Sequence, residues 1–216
     1  MMKKENSNYY SNTRPEVVSF VPSNTKTILD IGCGLGGFLN FIKEEIGAET
    51  WGIEIVDKIA EKAKVTTDKI LIGKVEDLLS QIPDDYFDCI CFNDVLEHLL
   101  EPSEILIKIK PKLSEEGIII ASIPNVRYFF NIYELIIKKD WEYKETGILD
   151  KTHFRFFTKN SMKRMIVNSG YELVEQKGIN KINSWKFKIF NFLTFKYLDD
   201  TKYLQFLCVM NPIRNQ

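Results

Sequence analysis

Asp30-Ile31-Gly32-Cys33-Gly34-Leu35-Gly36-Gly37 is the stretch on which the fold turns. It follows the apolar run TILDI (residues 27–31). It precedes a helical stripe with apolar residues at 38, 39, 41, 42 and 46. Glycines permit positive φ and let a backbone come close to a ligand. At the carboxyl end of a parallel sheet, such a loop lies where doubly wound folds bind ligands. Glu54 stands twenty-two positions after Gly32, at the end of the next apolar run. A carboxylate there can accept hydrogen bonds from both hydroxyls of a ribose. Two glycine spacings coexist: Gly32, Gly34 and Gly37 make GxGxxG, while Gly32, Gly34 and Gly36 make GxGxG. The loop by itself leaves both ligand classes open.

The same rhythm continues on both sides. Residues 50–55 (TWGIEI), 69–72 (KILI), 87–92 (FDCICF) and 117–123 (GIIIASI) read as buried strands. Helical stripes lie between them: a segment capped by Asp57, a short one over 75–82 stopped by Pro83, and one over 103–113 with Ser103 as its N-cap. Alternating strands and helices with near-continuous apolar strands predict a parallel sheet covered on both faces. The expected class is α/β, a doubly wound Rossmann-like sheet with helices on both faces.

After residue 125 the pattern changes. Residues 126–157 are aromatic and irregular, 159–169 are helical, and 171–176 and 204–210 are strand-like. The stretch 181–201 reads as an insertion. A single domain over 1–216 is therefore expected. It divides into an N-terminal cap segment (1–25), a cofactor-binding core (26–125) and two substrate-side insertions (126–157 and 181–201).

Composition restricts the function. The chain has 216 residues with 29 Lys+Arg against 30 Asp+Glu, so it lacks the basic surplus of a typical nucleic-acid binder. No nucleic-acid partner is expected. Four cysteines show no CxxC pair and no zinc spacing; three lie in apolar runs, which favours a reducing, cytoplasmic setting. The first residues, MMKKENSNYYSNTR, contain no apolar signal core, so a secretory leader is not expected. The charge is uneven, however. Residues 176–216 hold seven basic and two acidic residues, together with eight aromatics.

Beyond the loop, three segments share a resemblance to the class I S-adenosylmethionine-dependent methyltransferases: 72–78 (IGKVEDL), 87–99 (FDCICFNDVLEHL) and 147–158 (GILDKTHFRFFT). Within that class the chain is most similar to a small-molecule branch, which includes ubiquinone-biosynthesis O-methyltransferases and polysaccharide-associated enzymes. The likeness covers roughly residues 9–178.

The resemblance implies a seven-stranded sheet with an antiparallel last strand at the edge, and S-adenosylmethionine as cofactor. Asp30, Gly32, Cys33, Gly34 and Gly36 would pass the methionine part. Glu54 would hold the ribose, and Ile55 would lie against the adenine. Backbone groups of Val75 and Glu76 would meet its edge, and Asn93 and Asp94 would stand near the methionine amino end. Many relatives have Asp where this chain has Lys74, which puts a side-chain contact to adenine in doubt there. Tyr10 and Arg14 belong to a segment that relatives fold over the cofactor, where Arg14 can meet a carboxylate.

Methyl transfer from a sulfonium is an in-line displacement that needs alignment, and a hydroxyl acceptor also needs a base. The chain has two histidines, His98 and His153, and both fall inside the motifs. Either is a candidate base. Each has a structural alternative: His98 as a packed residue orienting its loop with Glu97, His153 as a contact between insertion and sheet. Tyr128 and Arg155 are candidate substrate contacts, although Arg155 can equally pair with Asp150. No carboxylate cluster near the acceptor is evident, so no metal is expected. Asn93-Asp94-Val95-Leu96 also departs from the Pro-Pro-aromatic pattern of base-amine methyltransferases.

Residues 185–198 (WKFKIFNFLTFKYL) interleave six aromatics with three lysines. They read as packing on a sheet edge or on a second copy in a homodimer, as a lid, or as a peripheral membrane contact. The expected function is methyl transfer to a small or carrier-linked acceptor, at a sugar, polysaccharide-precursor or quinone-like hydroxyl. An NAD-dependent oxidoreductase and a non-catalytic S-adenosylmethionine-binding module are the rivals.

Overall fold

The computed structural model describes residues 13–214. Seven strands form one sheet: β1 (Thr27–Ile31), β2 (Glu49–Glu54), β3 (Lys69–Ile72), β4 (Phe87–Asn93), β5 (Leu113–Pro124), β6 (Tyr171–Lys181) and β7 (Tyr203–Pro212). Their order is β3-β2-β1-β4-β5-β7-β6. The first five are parallel, while β7 runs antiparallel to both β5 and β6. The expected last strand is antiparallel, but it is not at the edge. It fills the gap between β5 and β6, so β6 forms the edge and is longer than expected because it pairs along β7.

The described helices are α1 (Pro15–Val18), α2 (Gly37–Ile46), α3 (Asp57–Ala63), α4 (Val75–Leu78), α5 (Pro102–Ile109), α6 (Phe129–Tyr133), α7 (Lys159–Asn168) and α8 (Trp185–Leu193). Two expected caps are displaced. Val56, not Asp57, is the cap of α3, and Asp57 opens its first turn. Glu101, not Ser103, precedes α5, because Pro102 has no N–H to leave unpaired at a first helical position. Pro111 then tightens the chain into a 3₁₀ turn, and Leu113 already belongs to β5.

The period of two along the strands divides the core between the sheet's faces. Leu29, Ile31, Ile90, Phe92 and Ile119 pack with α5 and α7 through Leu106, Ile109, Met162 and Ile166. Ile28, Cys89, Cys91 and Ile120 pack with α2 and α3 through Phe38, Leu39, Ile42 and Ala63. All four cysteines are free thiols in this interior, and burial pushes the Cys33 and Cys91 thiols up, away from thiolate chemistry. The strand order reverses between β1 and β4, the switch point at which ligands bind in open α/β sheets. Among the described residues, no helix is long and apolar enough to cross a membrane.

Candidate functional site

The loop after β1 is built by its backbone. Gly32, Gly34 and Gly36 have φ of 75°, 56° and 77°, in the left-handed region, whereas Gly37 opens α2 as its first residue. Of the two glycine spacings, left-handed backbone therefore marks GxGxG. The N–H groups of Gly32 and Cys33 both donate to the Ile53 carbonyl, at 2.8 and 3.0 Å, tying the loop to β2. A Cβ on Gly32 would lie 2.5 Å from Val95 Cγ2, so the loop after β4 presses directly on it. The Cys33 side chain turns inward and packs against Gly52.

Glu54 ends β2 buried, and its carboxylate braces the turn. One oxygen accepts from Gly34 N–H and the other from Val56 N–H, both at 2.9 Å. Each carboxylate oxygen keeps further acceptor capacity. Ile55, next in line, is 57% exposed, an apolar platform beside the loop. Val75 is buried at the start of α4, and Glu76 is exposed there.

Asp30 ends the β1 side of the crevice, fully buried. It accepts from Asn93 Nδ2 at 3.0 Å. Burial pushes its carboxyl up to about 7, opposed by the Asn93 hydrogen bond and the Arg14 charge. The other amide atom of Asn93, Oδ1, is buried without a partner. Such an orphaned acceptor beside a buried carboxylate suits a cationic amino group. Together with the loop and Glu54, it fits a ligand with an ammonium at one end and a ribose at the other. S-adenosylmethionine has that form.

Asp94 follows with φ 57° and is a hub. It receives Arg14 Nη1 at 2.6 Å, Ser122 Oγ at 3.0 Å and Gln205 Nε2 at 2.5 Å. Arg14 also reaches Ser122 and Glu16, and its side chain is only 13% exposed. Arg14, just ahead of α1, thus bridges the ends of β4 and β5. Tyr10 lies outside the described residues. Ser122 and Gln205 were not anticipated. Their signal is a polar residue inside each of two apolar runs, 118–123 and 204–210.

The turn after β4 carries the second half of the site. The backbone carbonyl of Glu97 accepts from Phe154 and Arg155 N–H, clamping the insertion after β5 onto this turn. His98 and His153 are thereby brought together, with ring centroids 4.5 Å apart at 77°. His153 Nδ1 stands 2.9 Å from the Ile148 carbonyl, and His98 Nδ1 stands 3.2 Å from the Thr152 carbonyl. Carbonyls only accept, so a neutral ring that makes such a contact carries its proton on Nδ1 and its lone pair on Nε2. Burial, then the neighbouring His153, hold His98 below the ordinary histidine range.

Glu97 completes the group. Its side chain is 1% exposed, and neither carboxylate oxygen has a hydrogen-bond partner. Burial, then the Asp94 charge, push it well above the usual carboxylate range. His153 Nε2 lies 4.0 Å from Glu97 Oε1.

The remaining expected residues are placed differently. Arg155 does not pair with Asp150; it donates to the Leu100 carbonyl and to Glu101, and Thr152 takes Asp150 instead. Tyr128 is half-buried at the start of α6, against Phe130.

A methyltransferase-domain family model matches residues 5–176. The chain belongs to this family, that of the class I S-adenosylmethionine-dependent methyltransferase domains, with S-adenosylmethionine as cofactor. A solved S-adenosylmethionine-dependent methyltransferase from Archaeoglobus fulgidus has the same fold. Its TM-score is 0.67 at 19% identity, over 94% of this chain and 96% of that one. The chain is 39% identical over 75 residues to a phosphoethanolamine N-methyltransferase of Plasmodium falciparum (33% of this chain, 28% of that protein). It is 33% identical over 104 residues to the mitochondrial ubiquinone biosynthesis O-methyltransferase of Schizosaccharomyces pombe (45% of this chain, 37% of that protein). The chain spans well under two thirds of either curated relative.

Proposed function

We propose that this chain transfers a methyl group to a hydroxyl of a small or carrier-linked acceptor. The observation that carries the reading is the meeting of His98, on the turn that follows Asn93 and Asp94, with His153 of the insertion after β5. When bound, S-adenosylmethionine supplies an activated methyl group on a sulfonium. Gly32, Gly34 and Gly36 bring the loop backbone against its methionine part, and Cys33 anchors that loop from below. Glu54 accepts from the ribose and Ile55 packs on the adenine, with the Val75 and Glu76 backbone at its edge. Asp30 and Asn93 hold the amino group, while Arg14 positions Asp94.

On the acceptor side, His98 or His153 would take the hydroxyl proton as the new carbon–oxygen bond forms and the methyl–sulfur bond breaks, its electron pair returning to sulfur, so that a neutral ether and a neutral thioether result. The carbonyls of Ile148 and Thr152 hold the two rings in place. Tyr128 and Arg155 border the approach, and the insertions 126–157 and 181–201 shape the acceptor's surroundings. The O-methyltransferase among the relatives supports a hydroxyl, and the N-methyltransferase keeps an amine as the outcome to exclude.

The aromatic segment favours an acceptor with an apolar tail. Phe187 is buried on Phe129, while Trp185, Phe192, Phe195 and Tyr197 are exposed among lysines. Such a surface suits a membrane interface from which a lipid-linked acceptor is taken. The test is transfer of labelled methyl to a panel of phenolic, sugar and amine acceptors. His98→Gln is expected to lose turnover with donor affinity retained. Transfer to amines alone, or full turnover in both His98→Gln and His153→Gln, would refute the assignment.

A further inference from the structure

Glu97, His98 and His153 each offer one ligand atom, and these atoms lie within 4.8 Å of one another. The chemistry of the group is that of a ligand set rather than of a packed cluster. Both imidazoles direct Nδ1 to a backbone carbonyl, at Ile148 and Thr152, which leaves Nε2 as the free donor. Metal-bound histidines are oriented in this way by their outer partners. Glu97 is a carboxylate buried at 1% exposure with no hydrogen bond on either oxygen. A buried carboxyl without a partner is costly unless something meets it. Its 4.0 Å distance to His153 Nε2 is too long for a hydrogen bond. That gap is close to the ~3–4 Å between two ligand atoms that each sit about 2.1 Å from one ion. Tetrahedral ligand atoms on such an ion stand about 3.4 Å apart, so a pair at the 4.8 Å limit must close by about 1.4 Å, through rotation of the half-buried His98.

We propose that Glu97, His98 and His153 bind a first-row divalent cation, with open positions toward the acceptor side. Two imidazoles and one carboxylate suit Zn²⁺, Co²⁺ or Fe²⁺ better than Mg²⁺ or Ca²⁺. This inference rests on the reading of the cluster as the acceptor-activating group. The cation would take the acceptor's oxygen as a ligand and make its proton easier to lose to water; with Nε2 on the cation, the imidazoles hold the ion rather than take that proton themselves. The acceptor class is thereby narrowed to oxygen donors, and an adjacent pair of oxygens is favoured because it can chelate.

The test is a Co²⁺ titration of the untagged, chelator-treated full chain, followed by optical absorption, with Zn²⁺ competition. One equivalent is expected. Glu97→Gln and His153→Gln should each weaken binding beyond the about 10–100-fold that losing an outer partner costs. The chain has only two histidines, so wild-type Co²⁺ protein should also show two exchangeable, paramagnetically shifted imidazole N–H signals by NMR. That reading needs no variant to fold. Absence of one-to-one binding, absence of those signals, or unchanged binding in Glu97→Gln would overturn the proposal. S-adenosylmethionine titrations of the same samples separate the two ideas. Donor binding without metal binding removes only the cation. Failure of the wild type to bind the donor removes the methyltransferase reading.

Discussion

Asp30 offers a pH-dependent stability that can be worked out from its surroundings. The folded protein holds this carboxyl at about 7 by burial. An unfolded Asp titrates near 3.9, so the shift is about three pH units, or about 4 kcal/mol at about 1.4 kcal/mol per unit. Between roughly pH 4 and 7 the folded state keeps the proton that the unfolded state has lost. Stability therefore falls as pH rises through this window and levels off above about 7. Asp30→Asn removes the titration but keeps an oxygen to accept from Asn93 Nδ2. Urea unfolding of both proteins at pH 4.5, 6, 7 and 8, without donor, measures the difference directly. The other titrating groups, Glu97 and His98 included, cancel between the two. Asp30→Asn should gain on the wild type by about 3 kcal/mol from pH 4.5 to 8, the first ~1 kcal/mol falling below pH 4.5, and by no less than about half of that. A difference that stays constant across the range would refute the buried-carboxyl argument.

Other outcomes follow from the same geometry. Gly32→Ala places a Cβ 2.5 Å from Val95 Cγ2 at φ 75°; left-handed strain and overpacking should together cost about 2–4 kcal/mol in urea unfolding. Gln205→Leu leaves Asp94 with one donor fewer and Asn180 without an acceptor, so it should destabilise by about 1–3 kcal/mol despite its apolar surroundings. Replacing Phe192 and Phe195 by Ser should leave folding unchanged, since they are 79% and 95% exposed. The same change should abolish co-sedimentation with anionic vesicles at low salt, and equal sedimentation of both proteins would remove the membrane reading.

Local patterns made the parallel half of the sheet legible. The glycine loop, the acid at the end of β2 and the apolar strands are signals within a few residues, and each lies where the fold puts it. What escaped were consequences of topology. Nothing in residues 204–210 shows that this strand inserts between β5 and β6; that depends on pairing with two partners at once. The Asp94 hub draws Arg14, Ser122 and Gln205 from positions far apart in the chain, so no spacing marks it. His98 and His153 were singled out separately. Their contact, and the stranded Glu97 beside them, exist only because the insertion after β5 folds back on the turn after β4. Arg155 illustrates the reverse case: Asp150 is near in sequence, but the chain's fold presents Leu100 and Glu101 instead.

The most direct measurement of the donor site is calorimetric titration of the full chain with S-adenosylmethionine and, separately, with NADH. S-adenosylmethionine should saturate one site. Glu54→Ala should weaken it by at least about tenfold, because hydrogen bonds to a charged group are worth about 1.5–3 kcal/mol and the loop also loses its brace. NADH should show no saturable binding. Tighter binding of NADH than of S-adenosylmethionine, or an unchanged affinity in Glu54→Ala, would contradict the account.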